Sequence, residues 1–241
     1  MTSSDEKSLT VLQQGVLTVQ GEFLWGSNYT FLGKVEYQGE TLQAVYKPTR
    51  GERPLWDFPA ATLARREVAA YLVSKYLGWN LVPPTVYRRH GPIGPGSLQL
   101  FIEHDPEYHY FNFTERDRQR LRSSALFDVV VNNADRKGSH VLLDKDDHIW
   151  LIDHGICFHE EDKLRTVIWD FAGESLPDEL CQEMDSFRKL LVESSKVVKE
   201  LRPYLSQIEI NSMISRIERI IAVGHFPNPN PSRRFQPWPP L

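Results

Sequence analysis

The sequence predicts an α+β fold with two lobes, the first rich in antiparallel strands and the second mainly helical. Segments of β-branched and aromatic residues, separated by turn residues, fill the first part of the chain. Helical apolar patterns dominate the remainder of the 241 residues, a length that suffices for two small lobes. We expect the first lobe to span residues 1–103 and the second to span residues 104–241, with the boundary between Glu103 and Pro106.

The overall composition is that of an ordinary globular protein, with 41% hydrophobic and 25% charged residues. A net charge of -4 and a pI near 6.1 argue against a nucleic-acid partner that is bound by neutralising phosphates. Two cysteines are too few for a disulfide framework, so Cys157 and Cys181 are expected to be free thiols.

The sequence predicts neither a signal peptide nor a membrane span. Residues 1–7 are polar and acidic, unlike a signal peptide. No apolar run approaches the roughly 20 residues that cross a bilayer. We therefore expect a cytoplasmic protein without integral membrane association.

Three strands are predicted in the first lobe, at residues 16–25, 31–37 and 41–46. These segments are rich in β-branched and aromatic residues, and turn residues separate them at 26–28 and 38–40. Such short connections favour an antiparallel meander.

A helix is predicted over residues 60–77, with Pro59 at its first position and Gly78 as its stop. Leu63, Val68, Tyr71 and Leu72 belong to its apolar stripe. Two further strands are expected at residues 85–88 and 98–102.

The second lobe begins with a helical pattern over residues 114–132. A short hairpin follows, in which strands at 140–143 and 149–152 flank the polar turn 144–147. Amphipathic helices are predicted at residues 177–191 and 208–223.

The last segment, residues 225–241, is rich in Pro, Asn and Arg. We call this segment the tail. One interpretation is an irregular surface segment, and the other is a segment that folds back over a groove of the protein.

Two features of the first lobe suit the binding of phosphates. The turn between the first two strands contains Ser27 and Asn28, and small polar residues allow backbone N–H groups to approach phosphate oxygens. Lys47 ends the third strand in the sequence Ala-Val-Tyr-Lys, which parallels the Val-Ala-Ile-Lys pattern of kinases. Taken alone, the turn fits a plain hairpin and Lys47 fits a solvated surface residue.

Glu67 lies beside the apolar stripe of the predicted helix, where a carboxylate is unfavourable unless it is paired. An ion pair with Lys47 would hold the lysine over the nucleotide phosphates. Pairing with Arg65 or Arg66, or exposure to solvent, is the alternative. Asp57 is a weaker substitute as the partner of Lys47.

Two acidic loops of the second lobe have the spacing that phosphoryl transfer requires. Asp135 follows Asn133-Ala134, His140 stands five positions later, and Asp153-His154-Gly155 follows the predicted hairpin. Kinases place a catalytic Asp, a metal-binding Asn and an Asp-x-Gly metal loop in this order. Asp135 is therefore the expected catalytic residue, and Asp153 and His140 are the expected metal ligands.

These motifs resemble those of the phosphatidylinositol 3-/4-kinase superfamily, especially type II phosphatidylinositol 4-kinases. Residues 46–54 resemble the lysine segment of that branch, and residues 66–71 and 81–85 resemble its helix and following strand. Residues 133–136 resemble its N-x-D-R catalytic loop, and residues 152–158 its I-D-N-G-x-x-F metal loop. The likeness covers roughly residues 22–175 and is strongest to small bacterial members, with HipA-type serine kinases and secretory-pathway kinases as distant relatives.

The resemblance implies a two-lobed protein-kinase-like fold that uses ATP with Mg²⁺ or Mn²⁺. Adenine would meet a hinge formed by residues 100–103, namely Leu100, Phe101, Ile102 and Glu103. Lys47, oriented by Glu67, would neutralise the α/β-phosphates, and Asp135 would orient or deprotonate the acceptor hydroxyl. Arg136 would contact the catalytic carboxylate or a phosphate, or else form a structural salt bridge.

Two departures from the family pattern bear on function. His140 replaces the usual Asn, and imidazole suits softer metals than Mg²⁺. Three interpretations follow: a second metal is weakly held, Mn²⁺ is preferred, or His140 contacts phosphate instead. The cysteine-rich palmitoylation segment of type II lipid kinases is absent from the sequence. We therefore expect a protein Ser/Thr or a small molecule as acceptor rather than a phosphoinositide, and a nucleotide-binding pseudokinase is the alternative.

Overall fold

The computed structural model describes residues 3–23 and 28–241. A five-stranded antiparallel sheet forms the first lobe, in the order β1-β2-β3-β5-β4. These strands are β1 Val16–Glu22, β2 Phe31–Tyr37, β3 Glu40–Pro48, β4 Thr85–Arg88 and β5 Gly96–Leu100. The predicted meander is confirmed, although β5 begins and ends two residues earlier than expected. Residues 24 and 25, predicted to end the first strand, lie outside the described residues.

A helix that the sequence did not predict, α1 (Ser3–Gln14), packs against the sheet. Its residues Val11 and Leu12 are buried with Val35 of β2. At its C-terminal end the guanidinium of Arg88 donates to the carbonyl oxygens of Leu12 and Gly15. These contacts satisfy carbonyls that the helix itself leaves unpaired, so α1 is held by tertiary packing.

The helix between the lobes, α2 (Leu63–Leu77), begins three residues later than predicted and not at Pro59. Its first N–H groups donate to a carboxylate from the preceding loop, because Glu52 accepts from Leu63 and Ala64 at 3.1 and 2.9 Å. The helix ends as predicted at Gly78, whose φ of 78° is readily available to glycine.

The second lobe contains five helices and one short hairpin among the described residues. The helices are α3 Glu115–Gln119, α4 Arg122–Val131, α5 Asp178–Glu193, α6 Ser195–Leu201 and α7 Gln207–Val223, and the hairpin strands are β6 Val141–Leu143 and β7 Ile149–Leu151. The helix predicted over residues 114–132 is thus two helices, and α6 was not predicted. None of these helices is long and apolar enough to cross a bilayer, a finding that covers only the described part of the chain.

The main hydrophobic core joins α2 to the second lobe. Ala69, Val73 and Leu77 of α2 share this core with side chains from α4, β6, β7, α5, α6 and α7. A separate, smaller cluster lies between the sheet and α1. Consequently α2 links the strand-rich lobe to the loops that follow α4 and β7.

The tail is held against the second lobe. Phe226 is 3% exposed, and it belongs to the main core. Farther along, the carbonyl oxygens of Phe235 and Pro240 accept hydrogen bonds from the backbone of Thr166 and Gly138. The tail has no helix or strand of its own, but its contacts are those of a segment that folds back over the protein.

Candidate functional site

Lys47 is placed by the pairing of β3 with β5. Lys47 lies opposite Ser97, and Pro48 lies opposite Gly96. A Cβ atom at Gly96 would stand 2.3 Å from the carbonyl oxygen of Lys47, so only glycine allows the two strands to approach this closely. The register therefore fixes the direction in which the lysine side chain leaves the sheet.

The side chain of Lys47 bridges two carboxylates from distant parts of the chain. Its Nζ lies 2.5 Å from Oε1 of Glu67 and 2.8 Å from Oδ1 of Asp153. Burial disfavours the charged amine, but Asp153 and Glu67 outweigh it and raise the pKa of Lys47 above its usual value. Lys47 is therefore charged at neutral pH and faces the metal loop.

Glu67 joins α2 to the metal loop as well. Its Oε2 accepts the backbone N–H of His154 at 3.0 Å. Burial raises the pKa of Glu67, which is 3% exposed, while Lys47 and this N–H oppose the shift. The alternative partners are engaged elsewhere, because Arg66 bonds to Glu209 and Arg65 lies over the ring of Tyr87.

Asp135 stands at the rim of the catalytic loop with one third of its side chain exposed. Its backbone N–H donates to Oδ1 of Asn133 at 2.9 Å, which fixes the loop conformation. Partial burial raises the pKa of Asp135 to about 6, a shift that Lys137 opposes and Asp153 increases. Nζ of Lys137 lies 4.0 Å from Oδ2 of Asp135.

Arg136 is completely buried and does not face the cleft. Its Nε lies 3.0 Å from Oδ1 of Asp128, and its other nitrogens bond to the Ile152 carbonyl and to Nε2 of His154. Arg136 therefore forms the structural salt bridge, which was one of the expected roles. It does not contact a phosphate, because no part of its side chain is exposed. Arg136 ties the catalytic loop to the metal loop from beneath.

Asp153 and His140 are neighbours at the mouth of the site. Nε2 of His140 lies 3.4 Å from Oδ2 of Asp153. Burial lowers the pKa of His140 to about 4, so the imidazole is neutral at pH 7. Asp153 has a φ of 59°, an uncommon backbone conformation for a residue other than glycine, of the kind that concentrates at functional sites.

The hinge residues differ in the backbone groups that they leave available. The N–H of Leu100 donates to the carbonyl of Pro84, and that of Phe101 donates to Gln43. The N–H groups of Ile102 and Glu103 donate no hydrogen bond to any of the described residues. An adenine ring could therefore bond to the later half of the predicted hinge and not to the first two N–H groups.

The turn that the sequence predicts to contact phosphates is described only in part. Ser27 lies outside the described residues. Oδ1 of Asn28 accepts the backbone N–H of Arg53 at 2.7 Å and so braces the loop after β3. This oxygen is thus occupied within the protein.

Several positioning residues escaped sequence reasoning. Glu52 caps α2, and Asp128 binds Arg136, Asn133 and Thr166 at the floor of the catalytic loop. Arg66 crosses from α2 to the carbonyl of Cys157. The sequence offered one indication of such residues, a charged residue within an apolar run, as at Asp128 in α4.

The fold is kinase-like, because a strand-rich lobe is followed by a helical lobe. The side chains of Lys47, Glu67 and Asp153 converge between the two lobes. The Golgi casein kinase with Mn/ADP bound superposes on this chain with a TM-score of 0.60, at 15% identity, over 90% of this chain and 74% of that one. The two-lobed protein-kinase-like fold that the sequence predicted is confirmed.

The family follows from sequence comparison. The family model "Phosphatidylinositol 3- and 4-kinase" matches residues 60–208, which include Glu67, Asp135, His140 and Asp153 and begin after Lys47. The chain belongs to the phosphatidylinositol 3- and 4-kinase family, as its motifs indicated.

Two relatives illustrate the range of the family. Protein Rv2133c of Mycobacterium tuberculosis is 38% identical over 99% of this chain and 97% of its own length. Phosphatidylinositol 4-kinase gamma 4 of Oryza sativa subsp. japonica is 32% identical, over 44% of this chain and 22% of its own length. The chain thus matches a bacterial relative end to end but spans only a fraction of the plant enzyme.

Proposed function

We propose that this protein is an ATP-dependent phosphotransferase that transfers the γ-phosphate to a hydroxyl group. The observation that carries the proposal is the placement of Lys47 Nζ within hydrogen-bonding distance of both Glu67 and Asp153. Phosphoryl transfer relies on positioning and on neutralising phosphate charge more than on covalent help from the protein. Lys47 is the cation that would contact the α/β-phosphates, and Glu67 holds it in place.

A divalent ion, Mg²⁺ or Mn²⁺, fits beside Asp153. The carboxylate of Asp153 is 46% exposed, and the neutral imidazole of His140 stands beside it. Among the described residues no three His, Cys, Asp or Glu side chains gather as a complete metal site. Nucleotide phosphates would supply the missing oxygens. When bound, the ion would neutralise charge that develops on the transferred phosphoryl group. That the Golgi casein kinase binds Mn and ADP supports this assignment.

Asp135 is the group that would orient the acceptor hydroxyl and take its proton. It lies on the catalytic loop, which Arg136 fixes against the metal loop. Its partly exposed carboxylate can be reached by an acceptor, while its backbone is held by Asn133. The pKa of about 6 leaves Asp135 ionised at neutral pH and able to accept a proton.

A thermal-shift screen with ATP and ADP, each with Mg²⁺ or Mn²⁺, tests the nucleotide site. A ligand that binds the native state raises the melting temperature. We expect such a rise for the native chain, its loss in Asp153→Ala, and its retention in Asp135→Asn and in Asp146→Ala at the exposed hairpin tip. Asp135→Asn should bind nucleotide but transfer no phosphate. Absence of any rise, or an unchanged rise in Asp153→Ala, would overturn the proposal.

A nucleotide-binding pseudokinase is the second candidate, and His140 is the observation that favours it. The variant His140→Asn restores the oxygen ligand that the family usually has. If the chain is an active kinase, this variant should keep or raise Mg²⁺-supported transfer, because Mg²⁺ prefers oxygen ligands. If the native chain binds nucleotide without transfer and only the variant transfers phosphate, the pseudokinase hypothesis is favoured.

The acceptor class is a separate part of the proposal. We propose a protein Ser/Thr or a small hydroxyl compound before a phosphoinositide. Radiolabelled ATP offered with protein, sugar and lipid panels discriminates these acceptors. The plant relatives that carry the name phosphatidylinositol 4-kinase make the lipid panel a necessary arm of this test.

A further inference from the structure

The tail lies on the surface next to the catalytic loop. The backbone N–H of Gly138 donates to the carbonyl oxygen of Pro240 at 2.8 Å, and Gly138 follows Asp135 by only three residues. The backbone N–H of Thr166 donates to the carbonyl oxygen of Phe235 at 3.1 Å. Two main-chain donors of the second lobe thus bind the tail, whose backbone bends at Gln236, Trp238 and Pro239 between the two bonded carbonyls.

Thr166, which bonds to the tail, also forms a single β-bridge with Arg136 of the catalytic loop. Arg136 and Thr166 form a parallel bridge, in which the N–H of Arg136 donates to Arg165 and the N–H of Val167 donates to Arg136. The tail approaches the opposite side of Thr166. Proteins commonly recognise peptide segments by main-chain hydrogen bonds, which give affinity, and by side-chain contacts, which give specificity.

Two side chains of the tail meet matching groups. Arg233 lies 2.8 Å from Oδ1 of Asp162. The ring of Phe235 stands edge-on to Trp169, with 6.1 Å between ring centroids. A cation followed two positions later by an aromatic ring therefore matches this surface.

The tail leaves buried donors unmatched. Nε–H of Arg233 has no acceptor among the described residues, and the same holds for the indole N–H of Trp169. An occupant that supplied an acceptor there would gain a hydrogen bond that the tail does not make. The tail also brings the positive charge of Arg234 near Asp135. The tail therefore occupies the surface without matching it fully.

We propose that the surface formed by Gly138, Asp162, Thr166 and Trp169, which we call the groove, binds a peptide acceptor, and that the tail is an internal competitor for it. The proposal rests on the proposed kinase function and names its acceptor class as a Ser/Thr hydroxyl in a peptide segment with basic and aromatic residues. In the transfer, the hydroxyl oxygen bonds to the γ-phosphorus and the bond to the β,γ-bridging oxygen breaks. ADP leaves, and the hydroxyl proton passes to the Asp135 carboxylate.

Hydrogen exchange on the full chain tests the occupancy of the groove. Arg233→Glu combined with Phe235→Ala removes the contacts of the tail with Asp162 and Trp169 and leaves Phe226 in the core. We expect amide exchange to rise about tenfold at Gly138 and Thr166, because the tail then leaves these donors open more often. Ser232→Ala is the matched control, since Ser232 is exposed and is the only hydroxyl residue of the tail. Equal protection in the double variant and in the control would overturn the proposal.

A peptide supplied in trans tests the same groove from outside. A fluorescent synthetic peptide of residues 229–241 should bind the double variant about tenfold more tightly than the native chain, whose own tail competes. The same peptide with Glu in place of Arg233 should not bind. Equal affinity for the native chain and the double variant would overturn the competition.

The acceptor class and the kinase function are then separated. The double variant should phosphorylate a Ser peptide with this basic-aromatic pattern several-fold faster than the native chain. Labelling of sugars or lipids alone would overturn the peptide acceptor. Thermal shifts with ATP and Mn²⁺ are measured on the same samples. Peptide binding without nucleotide binding would overturn the kinase function, whereas nucleotide binding without peptide binding would overturn only the groove.

Discussion

Glu67 and His154 are joined by a hydrogen bond from the backbone N–H of His154 to Oε2 of Glu67, at 3.0 Å. The other oxygen of the same carboxylate accepts from Lys47. One side chain of α2 thereby sets the distance between the lysine of the sheet and the backbone of the metal loop. Because α2 also packs in the core of the second lobe, the two halves of the site depend on a single helix.

Glu67→Gln should lower the affinity for ATP about tenfold. Glutamine keeps the shape of the side chain but removes the charge that holds Lys47, and a hydrogen bond to a charged group contributes roughly 1.5–3 kcal/mol. Titration calorimetry with ATP and Mn²⁺ measures the change. Glu183→Gln, which alters a bond to Trp79 outside the site, is the control and should bind normally. Unchanged affinity in Glu67→Gln would refute the positioning role.

Glu52→Ala should loosen the beginning of α2. The Glu52 carboxylate accepts the N–H groups of Leu63 and Ala64, and loss of such a cap costs about 0.5–2 kcal/mol of stability. Urea unfolding measures the loss, and amide exchange at Leu63 and Ala64 should accelerate. Exposed Glu160, changed to Ala, serves as the control. If the amides of Leu63 and Ala64 exchanged as slowly in Glu52→Ala as in the native chain, the Glu52 cap would not stabilise α2.

The local motifs of the site could be predicted from the sequence, but the groups that support them could not. Lys47 and Asp153 stand in short patterns whose meaning depends on the neighbouring strand or hairpin, and those elements formed near the expected residues. The cap by Glu52 escaped prediction because a capping residue is normally sought directly before its helix. Glu52 instead lies in a loop eleven positions before Leu63, and its carboxylate accepts the N–H of Leu63.

Long-range packing explains the other differences between prediction and structure. Helix α1 has a weakly apolar sequence, and it is held by burial of Val11 and Leu12 beneath the sheet. The path of the tail depends on donors at Gly138 and Thr166 that become available only once the second lobe has folded. Arg136 follows Asp135, the predicted catalytic residue, in the sequence, yet its side chain turns inward to the buried carboxylate of Asp128, eight positions earlier.

Asp128→Ala should destabilise the fold by about 3–5 kcal/mol. Asp128 is fully buried, and its removal leaves the guanidinium of Arg136 without its partner in the interior. Urea unfolding measures the difference. Glu36→Ala breaks an exposed pair with Lys34 and should change the free energy of unfolding little. If both variants lost equal stability, the buried pair would not be the anchor of the catalytic loop.

The rate of phosphate transfer should fall as the pH drops through about 6. Burial raises the pKa of Asp135 to about 6, and only the ionised carboxylate can accept the proton of the acceptor hydroxyl. Activity is therefore present above this pKa and is lost below it. The measurement is the pH dependence of kcat/KM for the acceptor at saturating nucleotide, in which this loss of activity forms the acidic limb of the profile.

The charge of Arg234 offers a way to assign that limb to Asp135. Arg234 stabilises the ionised form, so Arg234→Gln should raise the pKa of Asp135 and move the acidic limb to higher pH. Arg202→Gln, which alters a pair with Gln207 on the surface, is the matched control and should leave the limb in place. A limb that stays at the same pH in Arg234→Gln would mean that a group other than Asp135 controls the reaction.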